Sequence, residues 1–277
     1  MRCSYPIRLH SAIPARDGIV VPCGQCLACR LNYARMWSIR IMNEAKVHPA
    51  SCFVTLTYDD AHLPENGTLV KSHLQDFLKK LRDKVGYGKL RFFASGEYGD
   101  RSFRPHYHLA VFGLSVSAAD VAVIKSVWCF GFVSVDALEV DSANYIASYT
   151  VKKQKGKKAK EYYESKGIIP EFATMSLKPG IGATFLEKFG ASLRTNGFCV
   201  AKGCKYKLPR YYEDKLFSED EKGLRKLANE KFIGEQLLDD LHRSKVESKS
   251  LSRVRGERGI QQERNLKSRQ VLKKRKL

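Results

Sequence analysis

Residues 72–85 place Leu74, Phe77, Leu78, Leu81 and Val85 at three- and four-residue intervals, which gives a helix one apolar face, and Ser72 stands where an N-cap belongs. Residues 28–47 carry Leu31, Ala34, Met36, Trp37, Ile39 and Ile41 with mixed periodicity and also read as a helix. Residues 53–60 (FVTLTYDD) are β-branched and aromatic and end on two acids, the mark of a strand and its stop. Further strands are predicted at 89–99 (KLRFFASGEYG), at 106–113 (HYHLAVFG), antiparallel to it, and at 131–138 (GFVSVDAL). Helices are predicted at 117–128 (SAADVAVIKSVW) and at 142–153 (SANYIASYTVKK), the second opening on Ser142 as N-cap.

The order strand, helix, strand, strand, helix, strand, helix is not the strict alternation of a βαβ protein. It predicts an α+β fold, a central antiparallel sheet of four or five strands with helices packed on it. Residues 161–212 are hard to read. From Ser218 onward the chain is rich in charge and poor in aromatics: 221–244 read as helical and the rest as a basic tail, helical or disordered. The expected organisation is a Cys-containing N-terminal segment with the first helix (1–50), packed on a central domain (51–215), then a basic C-terminal tail (216–277).

With 277 residues, 43% of them hydrophobic, the chain can bury a real core. No stretch approaches the ~20 apolar residues of a membrane span. The N-terminus lacks an apolar signal-peptide core, so a cytoplasmic-type compartment is expected. Net charge is +20 and the pI about 9.6, which points to a polyanionic partner, most simply nucleic acid. An anionic membrane surface fits less well, because no basic helix shows a strong apolar face. The charge concentrates at 151–160 (VKKQKGKKAK) and at the end (VLKKRKL).

Three groups could carry chemistry. On a strand, His106 and His108 point to one face while Tyr107, Leu109 and Val111 point to the other. Glu97 ends the preceding strand and could reach the same face. Two imidazoles and a carboxylate with open positions suit Mg²⁺ or Mn²⁺ acting as a Lewis acid on a phosphate. Two solvated imidazoles and a turn carboxylate are the plainer alternative. Next, Tyr145 and Tyr149 are four apart on a helix, with Lys152 three further on. A buried amphipathic helix would explain the tyrosines, but a cation within a turn of a phenol also stabilises a phenolate or a phosphate beside it. The last group is Cys3 with Cys23, Cys26 and Cys29, enough thiols for a structural zinc; an iron–sulfur cluster from the triplet is an alternative, as is simple burial of Cys26 and Cys29 as small apolar residues.

His-hydrophobic-His on a strand followed by Tyr-x-x-x-Tyr-x-x-Lys on a helix resembles the HUH endonuclease superfamily. Within it the chain is similar to the rolling-circle replication initiators of microviruses, on their gokushovirus branch. FVTLTY (53–58) resembles the first motif, RPHYH (104–108) the metal motif and YIASYTVKK (145–153) the nucleophile motif; PGIG (179–182), LPRYY (208–212) and VPCGQCLACR (21–30) also match that branch. The resemblance spans residues 21–212 and stops before the basic tail. The tyrosines follow the histidines, as in replication initiators and unlike conjugative relaxases. No G-x-x-x-x-G-K-[ST] is present, so no ATP-driven helicase of that type is expected.

The resemblance implies a single-stranded DNA endonuclease and strand transferase of a bacteriophage, working in the cytoplasm of a bacterial host. His106, His108 and Glu97 would hold Mg²⁺ or Mn²⁺. Tyr149 and Tyr145 would be the nucleophiles, each leaving a 5′-phosphotyrosine and a free 3′-hydroxyl, with Lys152 steadying the phosphate. Arg104, Lys153, Lys155, Lys157, Lys158 and Lys160 would contact the DNA backbone. Host replication proteins are further partners to expect; a membrane is not. The rival reading is a non-enzymatic, zinc-stabilised nucleic-acid-binding protein, which suits the charge and cysteines but leaves the histidines and tyrosines unexplained.

Overall fold

The computed structural model describes residues 3–8, 20–86, 90–99, 102–152, 157–201 and 203–274. In chain order the elements are β1 (Ile7–Arg8), β2 (Val20–Val21), α1 (Leu27–Ala45), β3 (Ser51–Tyr58), α2 (Lys71–Val85), β4 (Arg91–Tyr98), β5 (Pro105–Phe112), α3 (Ala118–Lys125), β6 (Gly131–Ala137), α4 (Val140–Lys152), α5 (Lys157–Ser165), β7 (Phe172–Met175), α6 (Ala183–Asn196), β8 (Phe198–Ala201), β9 (Cys204–Lys207), α7 (Arg210–Leu216), α8 (Glu219–Val246) and α9 (Leu251–Lys274). They form two compact units: Ala34–Tyr212, and Met1–Tyr33 together with Glu213–Leu277.

The Ala34–Tyr212 unit is α+β. Its five-stranded sheet has the order β6-β3-β5-β4-β7, every neighbouring pair antiparallel. Strand alternation sorts the side chains into two faces. Val54, Leu56 and Tyr58 of β3, Tyr107, Leu109 and Val111 of β5 and Phe92 of β4 pack against Leu74, Phe77, Leu78 and Leu81 of α2 and against Ile124 and Trp128. Each such apolar side chain, fully buried, contributes about 1.5–3 kcal/mol. On the opposite face, Phe93, Ala110 and Phe112 pack against Ile41 of α1, Ala143 and Ile146 of α4, and Ile181.

Two expected caps are misplaced. α2 begins at Lys71 with Val70 at the N-cap, so Ser72 lies inside the first turn. α4 begins at Val140; Ser142 Oγ sits within its first turn and accepts the Glu139 backbone N–H at 2.8 Å. The serine hydroxyl bonds back to the chain in both the capping and the first-turn position, so its presence alone does not fix the boundary.

A charged residue organises the α1 side of this unit. Glu44 is fully buried. Its Oε1 accepts from Arg91 Nε at 2.5 Å and meets His48 Nε2 at 3.2 Å, while Oε2 accepts the Gly182 N–H at 2.5 Å. Burial pushes the carboxyl up, but the bonds from His48, Gly182 and Arg91 outweigh it and hold the group below its ordinary range. Gly182 has φ +81°, and a Cβ there would lie 2.3 Å from Tyr212 Oη, so only glycine fits this close approach.

In the other unit β1 and β2 pair antiparallel, and α8 opens on a capping box between Ser218 and Glu221. Asp240 of α8 is buried and accepts from Arg258 of α9 at 2.5 Å. Among the described residues no helix is long and apolar enough to cross a membrane.

Candidate metal and nucleophile site

The site lies on the sheet face covered by α4. Across β4 and β5 Glu97 is in register with His106, and His108 stands between Ser95 of β4 and Thr55 of β3. Alternation then turns Glu97, His106, His108 and Thr55 to the same side. One carboxylate oxygen, Glu97 Oε1, lies 2.9 Å from His106 Nε2 and 2.7 Å from His108 Nε2. The three ligand atoms fall within 4.8 Å of one another. The triad read from the sequence is therefore assembled in space.

The outer nitrogens are tied down. His106 Nδ1 is 2.9 Å from the Arg104 carbonyl, and His108 Nδ1 is 3.0 Å from Thr55 Oγ1. A carbonyl only accepts, so His106 carries its proton on Nδ1 and, when neutral, aims the Nε2 lone pair at Glu97. A lone pair facing a carboxylate needs a proton or a cation between them. Glu97 Oε2 is buried and has no hydrogen-bond partner, and neither has Ser95 Oγ, next to it on the same face of the strand. Burial raises the Glu97 carboxyl, but the two imidazoles outweigh this and hold it ionised below its ordinary range. An anionic oxygen left over beside two converging imidazole nitrogens fits a divalent cation.

Tyr107 fixes the strand between the histidines. It is fully buried on the other face; its hydroxyl donates to the Val70 carbonyl at 2.9 Å, accepts the Val70 N–H at 2.9 Å and meets Tyr58 Oη at 2.8 Å. Sequence reasoning counts Tyr107 only as a large apolar neighbour. Gly96 is also needed there, since a Cβ would stand 3.0 Å from the Phe172 ring of β7.

α4 brings Tyr145 to the histidines. Ala143, Ile146 and Ala147 are buried, whereas Tyr145 is 44% exposed. Its ring stands 79° to that of His108, with centroids 5.0 Å apart, and Phe53 stacks on His108 at 5.6 Å. Tyr149 and Lys152 lie one and two turns further along the same helix by their backbone; their side chains fall outside the described residues, as do those of Lys157, Lys158 and Lys160 on α5. Lys153 and Lys155 lie wholly outside them. Arg104 is engaged within the protein, donating to the Tyr58 carbonyl at 2.8 Å and pairing with the exposed Asp60 carboxylate. Thr55 and Phe53, both missed in the sequence, sit in the strand FVTLTY at alternate positions, and that spacing was the available signal.

Comparison with known proteins follows the same residues. The family model for replication-associated protein ORF2 matches residues 51–154, which hold the triad and the tyrosines. Replication-associated protein ORF2 of Spiroplasma virus 4 is 33% identical over 224 residues, 72% of this chain and 68% of the relative. The chain belongs to the replication-associated protein family of microviruses. Other members of this family include replication-associated protein VP4 of Bdellovibrio phage phiMH2K, 31% identical over 70% of this chain and 66% of its own, and replication-associated protein ORF4 of Chlamydia phage 1, 31% identical over 72% and 55%. No solved structure matches the chain. In this microvirus replication-associated protein the four thiols of Cys3, Cys23, Cys26 and Cys29 also converge, well apart in sequence from the family match.

Proposed function

We propose that the protein initiates phage DNA replication by nicking single-stranded DNA at the origin in the infected cell and later rejoins the ends into a circle. The observation that carries this reading is the position of Tyr145, exposed and ring-to-ring with His108 of a Glu-His-His triad whose spare carboxylate oxygen is unpartnered. The names of its relatives support the replication role.

Glu97, His106 and His108 would hold Mg²⁺ or Mn²⁺, which as a Lewis acid would draw charge from the scissile phosphodiester. A tyrosine of α4 attacks phosphorus through Oη and loses its proton; the Oη–P bond forms, the P–O3′ bond breaks, and the DNA is left with a free 3′-hydroxyl and a 5′-phosphotyrosine. Rejoining reverses this, the 3′-hydroxyl attacking the phosphotyrosine and returning the phenol. Tyr145 and Tyr149 share a helical face, so one can cut the regenerated origin while the other holds DNA. Thr55 and the Arg104 carbonyl orient the imidazoles. Lys152 and the basic run after it supply charge for the DNA backbone.

The test is incubation of the protein with a labelled single-stranded origin oligonucleotide and Mn²⁺, followed by a denaturing gel. A covalent adduct that needs His106 and His108 is expected. DNA binding without any adduct would favour a non-enzymatic nucleic-acid-binding protein.

A further inference from the structure

Cys3, Cys23, Cys26 and Cys29 are free thiols, and their sulfurs all lie within 4.8 Å of one another. Cys3 Sγ is 3.5 Å from Cys23 Sγ and 3.8 Å from Cys26 Sγ. Zinc–sulfur bonds near 2.3 Å put the corners of a tetrahedral tetrathiolate site about 3.8 Å apart. The spacing is that of ligands around one ion. A multi-iron cluster, with bridging sulfides between its metals, would hold its thiolates further apart.

The backbone around the sulfurs is arranged for anions. The Cys23 N–H donates to Cys3 Sγ at 3.2 Å, the Cys26 N–H to Cys23 Sγ at 3.3 Å and the Ser4 N–H to Cys26 Sγ at 3.4 Å. Backbone N–H groups of Tyr5, Cys29 and Gly24 serve Cys3, Cys26 and Cys29 in the same way. Every sulfur therefore accepts at least one amide. A thiol is a weak acceptor, whereas a thiolate is a strong one, and only a bound cation lets four thiolates crowd together in a half-buried pocket. The cluster sits at the start of α1, whose N-terminal dipole favours negative charge.

The surroundings form a closed shell. Leu266 of α9 packs on the cysteines, and Glu263 accepts the Leu27 N–H at 3.3 Å. Gly259 of α9 lies so close to Ser4 and Tyr5 that a Cβ would stand 2.4 Å from the Tyr5 ring. With all four ligands supplied by the chain, no position is left open for a substrate.

We infer that Cys3, Cys23, Cys26 and Cys29 bind one structural zinc ion that fastens the N-terminal segment to the first turn of α1 beside α9. This site is distinct in residues and in chemistry from the Glu97-His106-His108 triad.

The full-length protein, purified under reducing conditions, should carry about one zinc per chain, retained through gel filtration and released when a mercurial reagent blocks the thiols. Replacing zinc with Co²⁺ should give an intense near-ultraviolet sulfur-to-cobalt band. A His106→Ala/His108→Ala variant should keep both signals, and Cys26→Ser should lose both. Should Cys26→Ser fail to fold, alkylation of the unaltered protein decides: Cys129 and Cys204, which are exposed, should react with iodoacetamide well before the four clustered thiols, and chelation should abolish that difference. Equal reactivity in the isolated protein, a sulfur-free cobalt spectrum, a disulfide in the intact mass, or acid-labile sulfide with iron would each overturn the assignment.

Discussion

The Tyr145 ring stands nearly perpendicular to the His108 ring, at 79° with centroids 5.0 Å apart. Tyr145 is on α4 and His108 on β5, in two separate elements joined only by the packing of Ala143 and Ile146 on Ala110 and Phe112. The apolar face of the helix thus sets the distance between candidate nucleophile and candidate metal ligand. Tyr145→Phe is expected to leave folding unchanged, since the phenol is half-exposed, and to stop the repeated cut-and-join cycle while a single nick through Tyr149 survives. Tyr149→Phe should do the same, and the double variant should form no adduct. Gel analysis of nicked, adducted and circular products separates these outcomes; normal circularisation by Tyr145→Phe would make that residue a packing group.

Thr55 acts on the site only through His108. Thr55→Val keeps the volume and removes the 3.0 Å contact to Nδ1. Loss of such an orienting bond costs roughly 10–100-fold in metal affinity or activity. The Mn²⁺ concentration for half-maximal nicking should rise by that order, with thermal stability little changed. An unaltered Mn²⁺ dependence would mean that His108 needs no orientation by Thr55.

Much of this site could be read directly from the chain, because His106 and His108 are two apart and Glu97 ends a neighbouring strand of a hairpin. Short range and strand alternation suffice for that. The Glu44 network was not legible. Its partners Arg91 and Gly182 are 47 and 138 residues away, and a lone acid in a helix of mixed periodicity normally signals a solvated position. The same limit applies to 161–212. There β7, β8 and β9 have four residues each, too few to show a period, and they become strands only by pairing. The cap of α2 was misread because Val70 ends an extended stretch held by Tyr107, a tertiary contact.

Glu44→Gln should unfold the protein more easily by about 3–5 kcal/mol, the cost of breaking a buried charged pair. The folded-state pKa of Glu44 is depressed, so its contribution is complete above the ordinary glutamate range and is lost as pH falls through that range. Denaturant midpoints of the two proteins should therefore converge on acidification. A constant gap between them across pH would show that the carboxylate charge is not what stabilises this region.

Arg264, Lys267 and Arg269 are exposed on α9. Replacing all three with Ala should weaken single-stranded DNA binding and lower the salt slope by about 0.7 for each phosphate that is no longer neutralised. Nicking at low salt should persist. A salt slope that does not move would remove this helix face from the DNA path.

The central claim is that a tyrosine of α4, set beside the Glu97-His106-His108 triad, takes the DNA covalently. The most direct measurement is peptide mass spectrometry of the adduct formed with an origin oligonucleotide and Mn²⁺ after nuclease trimming. The account requires a 5′-phosphonucleotide on Tyr145 or Tyr149, absent when His106 and His108 are replaced by Ala. An adduct on any other residue, or one that persists without both histidines, would contradict it.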